Sequence, residues 1–105
     1  MARGLRTLLP DGLFHVTTRA VHNESAFRDD ADRVRFLRLL AIAVRRHGWR
    51  VHGYCLMGTH YHLIVDATQL QLSNGMHYLN GVYAQAYNRR HDRSGHLFAD
   101  RFASW

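Results

Sequence analysis

The feature that most constrains the fold of this chain is the way its apolar residues switch between two periods. Over residues 13–19, Phe14, Val16 and Thr18 alternate with His15, Thr17 and Arg19, the period-2 pattern of a half-buried strand that follows a turn at Pro10-Asp11-Gly12. Val34, Leu37, Leu40, Ala41 and Val44 then recur at helical spacing, with Arg33, Arg35, Arg38, Arg45 and Arg46 mostly outside that stripe. Asp29 and Asp30 offer N-cap oxygens to this helix, and Gly48 suits its C-terminal cap. Residues 49–57 and 60–67 read as two strands joined through Gly58 and Thr59, a connection short enough for a β-hairpin. A second helix is expected over residues 70–91, with Leu72, Met76, Leu79, Tyr83 and Ala86 on one side and Ser73 as its cap. Gly75 and Gly81 work against it, each costing about 1 kcal/mol relative to Ala in a helix interior. Ser94 and Gly95 end the helix, and residues 96–105 read as the start of another strand.

The order strand, helix, strand, strand, helix, strand predicts an α+β fold, the ferredoxin-like βαββαβ arrangement with an antiparallel sheet covered by helices. Residues 1–105 are expected to form one domain: the chain has 105 residues, an apolar fraction of 47% and an aromatic fraction of 11%, with no repeat, linker or low-complexity tract. This fold hosts RNA binders, metal carriers and nucleases alike, so function has to be argued from particular residues.

Charge narrows the partners. The formal net charge is +6 and the sequence pI is about 10.4, which favours polyanions such as nucleic acid or an acidic membrane surface. All fourteen basic residues are Arg, which suits bidentate phosphate contacts and is equally what a GC-rich genome would write. The single cysteine, Cys55, rules out a disulfide framework within one chain and fits a reducing cytoplasm. No segment approaches the roughly 20 apolar residues of a membrane span, so a cytoplasmic, nucleoid-associated protein with no membrane partner is expected.

The sharpest local feature is His60-Tyr61-His62. On a strand, period-2 geometry points both imidazoles to one face, where they can share an ion, while Tyr61, Leu63 and Val65 point to the other and can pack beneath a helix. Two histidines alone hold a divalent cation weakly, so a third protein ligand or a substrate phosphate has to complete the shell.

The text around the pair is more specific than the pair. Tyr54-Cys55-Leu56-Met57-Gly58-Thr59-His60-Tyr61-His62-Leu63-Ile64-Val65 resembles the HUH signature of the REP-associated and related insertion-sequence tyrosine transposases. Phe14-His15-Val16-Thr17 with Arg19 resembles that family's first strand, and Phe27 with Asp29, Asp30 and Asp32 its approach to the first helix. Tyr83-Ala84-Gln85-Ala86-Tyr87-Asn88-Arg89-Arg90-His91, followed by Gly95-His96-Leu97-Phe98 and Arg101-Phe102, is similar to its tyrosine helix and exit.

The resemblance implies a metal-dependent endonuclease and strand transferase that cuts and rejoins single-stranded DNA through a 5′-phosphotyrosine link. His60 and His62 would hold Mg²⁺ or Mn²⁺, and the family's spacing before Asn88 selects Tyr83 as the nucleophile over Tyr78 and Tyr87. A phenol with a pKa of about 10 is a poor nucleophile at neutral pH, which is why the cation is needed to polarise the phosphate. Asn88 or a DNA phosphate would supply the third ligand, because Tyr87 stands where some relatives carry Gln. Arg19, Arg89, Arg90, Arg93 and Arg101 would contact DNA, single-stranded or folded as a hairpin, and two chains could pair as a homodimer.

Two departures stand against full activity. The turn Met57-Gly58-Thr59 lacks the family's Pro and Asn, so a looser seat for His60 is expected. The sequence also stops at Trp105, where family members continue, which suggests a truncated form. The non-enzymatic rival is therefore a DNA- or RNA-binding remnant that no longer cuts. A two-histidine phosphoesterase ranks far below, since His15-Val16-Thr17 fits one His-x-Thr element and His60-Tyr61-His62 is not a second.

Overall fold

A computed structural model describes residues 12–99 and 102–104. Strand β1 is Leu13–Arg19, helix α1 Asp30–His47, strand β2 Arg50–Leu56, strand β3 His60–Asp66, helix α2 Gln69–Arg90 and strand β4 Ala103–Ser104. They form one antiparallel sheet in the order β2-β3-β1-β4, the βαββαβ arrangement expected from the periodicities. The expected turn at Pro10-Asp11 lies outside the described residues.

The expected caps are half right. The carboxylate of Asp29 accepts from the amide of Asp32, and Gly48 closes α1 in the left-handed conformation at φ 66°. Helix α2 is capped by Thr68, whose hydroxyl accepts from the amide of Gln71, and not by Ser73, which lies inside the helix. Thr68 precedes an apolar stripe that begins at Leu72, so its capping offset was available in the sequence but masked by the competing Ser.

Both helices cover one face of the sheet. Val16 on β1, Tyr61, Leu63 and Val65 on β3, Phe36 and Leu40 on α1, and Met76, Leu79 and Tyr83 on α2 are buried together. Each such apolar side chain contributes about 1.5–3 kcal/mol by leaving water. Gly75 does not weaken α2, contrary to its helix propensity. It lies against Trp49, and a Cβ there would stand 2.2 Å from the indole Cζ2. The indole is fixed in turn by its Nε1–H, which donates to the carbonyl of Gln71 at 2.9 Å.

Segment 24–28, which connects β1 to α1, is hung from the far end of α2. The Tyr83 hydroxyl donates to the carbonyl of Ala26 at 2.6 Å, and the Tyr87 hydroxyl donates to that of Ser25 at 2.5 Å while accepting from Arg28 Nε at 2.8 Å. Ion pairs reinforce the attachment: Arg90 bridges Asp29 and Asp32 at 2.7 and 2.8 Å, His91 reaches Asp32 at 2.8 Å, and Arg93 meets Glu24 at 2.5 Å. Arg90 holds the Asp29 carboxyl far below its ordinary range, and Arg93 lowers that of Glu24. At Asp32 burial opposes ionisation, but bonds from the Arg28 amide, His91 and Arg90 outweigh it and the net shift is downward.

Two predictions follow from this packing. Gly75→Ala should destabilise the chain by about 1–3 kcal/mol through overpacking against Trp49, whereas Gly81→Ala, which meets no atom within 4 Å, should stabilise by up to about 1 kcal/mol; urea midpoints of the two variants check this. Folding lowers the three carboxyl pKa values, so their contribution is complete above the unfolded carboxylate range of about 4 and is lost as pH falls below it. The urea midpoint should therefore hold near neutral pH and drop on acidification below about pH 4, and an unchanged midpoint there would contradict the role given to these ion pairs.

Candidate metal and DNA site

The strict alternation of β3 sorts its residues between two different surroundings. Tyr61, Leu63 and Val65 face the helices, and His60, His62 and Ile64 face the opposite side of the sheet, which no helix among the described residues covers. The cross-strand register adds Arg19 opposite His60, Thr17 opposite His62 and His15 opposite Ile64. Cys55 on β2 also pairs with His62 and is exposed.

The two histidine rings sit 5.0 Å apart, nearly perpendicular. Nδ1 of His62 lies 3.0 Å from the Thr17 hydroxyl and 3.1 Å from Nε2 of His15, and Nδ1 of His60 lies 3.1 Å from the Thr59 hydroxyl. Burial, then the neighbouring His62 and Arg19, lower the pKa of His60, which keeps its ring neutral and able to donate a lone pair.

The turn before the pair is bonded through its backbone. Gly58 has no left-handed φ, its carbonyl accepts from the amide of Ala26 at 2.7 Å, and the carbonyl of Thr59 accepts from that of Ala20 at 2.9 Å. The amide of Met57 closes the hairpin on the carbonyl of His60 at 2.8 Å. Backbone bonds thus do the work that Pro and Asn were expected to do.

Among the described residues, no group of three or more His, Cys, Asp or Glu side chains is arranged to hold an ion. Two imidazoles in their neutral form would still fit a divalent cation as part of its shell. Nitrogen donors suit Mn²⁺ better than the oxygen-seeking Mg²⁺, with phosphate oxygens and water left to complete the coordination.

The structure does not bring Tyr83 to this site. Its side chain is fully buried on the helix side of the sheet, among Phe27, Phe36 and Phe98, with its hydroxyl on Ala26. Burial, with the carboxylate of Asp32 next, pushes its pKa well above the usual phenol range, so the phenolate needed for attack is disfavoured where it stands. None of the other tyrosines faces His60 and His62 either. Tyr61 and Tyr87 are buried, Tyr54 pairs with Leu63 on the helix side, and Tyr78 packs beside His47 and Arg46.

Asn88 is likewise no partner of the pair. Its Nδ2 donates to the carbonyl of Gly95 at 2.8 Å and its Oδ1 accepts from Arg93 at 2.9 Å. It lines a groove of about 650 Å³ between α2 and residues 95–99, together with Gln85, His96 and Phe98. Of the arginines expected on DNA, Arg90 is spent in ion pairs with Asp29 and Asp32 at the start of α1, and Arg93 in one with Glu24. Arg89 is exposed at the end of α2, and Arg101 lies outside the described residues. Among those in the described residues, Arg19 is the one on the histidine face. Sequence reasoning passed over Thr17 and Thr59 as partners of the histidines, although Thr17 was legible as a face-mate of His15.

Comparison with known proteins agrees with this frame. The family model described as "Transposase IS200 like" matches residues 10–105. No curated protein matches. A protein of Deinococcus radiodurans R1 described as a transposase has a similar fold, with a TM-score of 0.71 and 13% identity over 92% of this chain and 79% of that one. A REP-associated tyrosine transposase bound to a REP hairpin superposes with a TM-score of 0.72 and 13% identity over 92% of this chain. This chain spans 56% of that protein's length. With its family model matched over nearly the whole length, on a fold shared with solved transposases, the chain belongs to the IS200-like transposases.

Proposed function

We propose that this chain is the metal- and DNA-binding core of a single-strand DNA transposase, with His60 and His62 holding Mn²⁺ or Mg²⁺ on the open face of the sheet. The observation that carries this reading is the pair itself: two neighbouring imidazoles on one strand, each with Nδ1 beside a hydroxyl, next to Arg19. A bound cation would polarise a phosphodiester and offset the charge that develops on its oxygens. Arg19, the cross-strand partner of His60, would bind the same phosphate and fix the DNA strand across the face. The likeness to a transposase that was solved with a REP hairpin supports single-stranded or hairpin DNA as the partner.

Cleavage through a 5′-phosphotyrosine needs a phenol on this face. In the conformation described Tyr83 serves instead as an anchor, and that observation favours the second reading, a DNA-binding form that does not cut by itself. Attack by Tyr83 would require α2 to release it from Ala26 and from the aromatic core. Otherwise the phenol comes from outside residues 1–105.

Two experiments test the proposal. Mn²⁺ titration followed by electron paramagnetic resonance should show that His60→Ala and His62→Ala each weaken binding by more than about tenfold, and unchanged binding would overturn the site. Tyr83→Phe, which leaves the Ala26 carbonyl without its buried donor, should cost about 1–2 kcal/mol of stability and leave Mn²⁺ and hairpin binding within a few-fold of wild type. Denaturing gels then read the covalent adduct on a single-stranded hairpin oligonucleotide with Mn²⁺. An adduct that disappears in Tyr83→Phe identifies Tyr83 as the nucleophile, an adduct that persists assigns it elsewhere, and no wild-type adduct establishes the non-cutting form.

A further inference from the structure

We propose that Thr17 and Thr59 act as positioning residues that fix the ring tautomers of His62 and His60, so that both imidazoles present Nε2 to the cation. The inference rests on the metal reading above and deepens it. A neutral imidazole has one protonated nitrogen and one with a free lone pair, and only the second can ligate. If Nδ1 carried the lone pair, both rings would offer their ligating atom to a threonine hydroxyl and turn N–H toward the ion.

The opposite assignment sets both Nδ1 protons against hydroxyl oxygens that can accept them. Thr17 is the direct cross-strand partner of His62 on the face away from the helices, so its hydroxyl and the ring meet without any rearrangement of the backbone, at 3.0 Å. With the proton on Nδ1, His62 donates to that oxygen, and Nε2 of His15 lies 3.1 Å from the same nitrogen. His60 has the same arrangement by a different route. Thr59 precedes it in a turn pinned by Ala20 and Ala26, and its hydroxyl lies 3.1 Å from Nδ1. Two hydroxyls on separate elements thus engage the same nitrogen of two adjacent rings. Partners of this kind hold a ligating histidine in one tautomer and orientation, and their loss costs about 10–100-fold in metal affinity.

This also gives Thr59 a role at the position where the sequence departs from the Asn of the resembling family. A hydroxyl in that turn can accept from the ring that follows it, so the departure leaves the site ordered.

The test reads the tautomers and the affinity separately. Long-range ¹H–¹⁵N correlation spectra of the metal-free protein, recorded at a pH where the spectra themselves show neutral rings, should show Nδ1 protonated and Nε2 bare in both His60 and His62. Thr17→Val keeps the shape and strand preference but removes the acceptor, and it should weaken Mn²⁺ binding by about 10–100-fold, with Thr17→Ser restoring it to within a few-fold of wild type. Thermal melts of both variants confirm that they fold. A proton found on Nε2 of His62, or Mn²⁺ binding by Thr17→Val equal to wild type, would overturn the inference. A wild-type chain that takes up no Mn²⁺ would remove the metal reading itself, and the nitrogen spectra would still decide the tautomers.

Discussion

The hydrogen bond from the buried Tyr83 hydroxyl to the carbonyl of Ala26 connects the two sides of this molecule. Ala26 receives the phenol through its carbonyl and passes its own amide to the carbonyl of Gly58, two residues before His60. A helix on one face of the sheet therefore sets the turn that carries the histidines on the other. The donor is fully buried, so a broken bond would leave a carbonyl without water to replace it, a cost of about 1–3 kcal/mol. Tyr87 holds the neighbouring Ser25 from the same helix, while Arg90 fixes the start of α1 through Asp29 and Asp32 and Arg93, just past the helix, holds Glu24.

The second constraint is the alternation of β3. One strand supplies both the centre of the core, through Tyr61, Leu63 and Val65, and the histidine pair on the open face, through His60 and His62. A one-residue slip in register would bury imidazoles and expose the core, so the packing energy of the apolar face enforces the position of the polar one. The cross-strand partners Arg19 and Thr17 are fixed by the same register.

These two constraints differ in how visible they were in the sequence. The alternation of β3, the Asp29 and Gly48 caps and the element order are local patterns, and the structure keeps them. Tyr83 belonged to two patterns at once: the family resemblance marked it as the nucleophile, and its helical phase with Met76 and Leu79 marked it as core. The structure follows the phase, because apolar burial acts on every residue of that stripe. The ion pairs of Arg90 with Asp32 and Arg93 with Glu24 join residues 58 and 69 positions apart, which no periodicity encodes. Gly75 illustrates the same limit, since the need for it arises only once Trp49 is laid across α2.

The central claim is that a divalent cation binds on the open face through Nε2 of His60 and His62 while Tyr83 stays in the core. Anomalous diffraction from crystals grown with Mn²⁺ and a short single-stranded oligonucleotide tests it most directly. The account predicts one Mn²⁺ coordinated by both Nε2 atoms and a DNA phosphate, with the Tyr83 hydroxyl still on Ala26. A cation bound away from these two rings, or coordinated through Nδ1, or a Tyr83 hydroxyl drawn onto the phosphate, would contradict it.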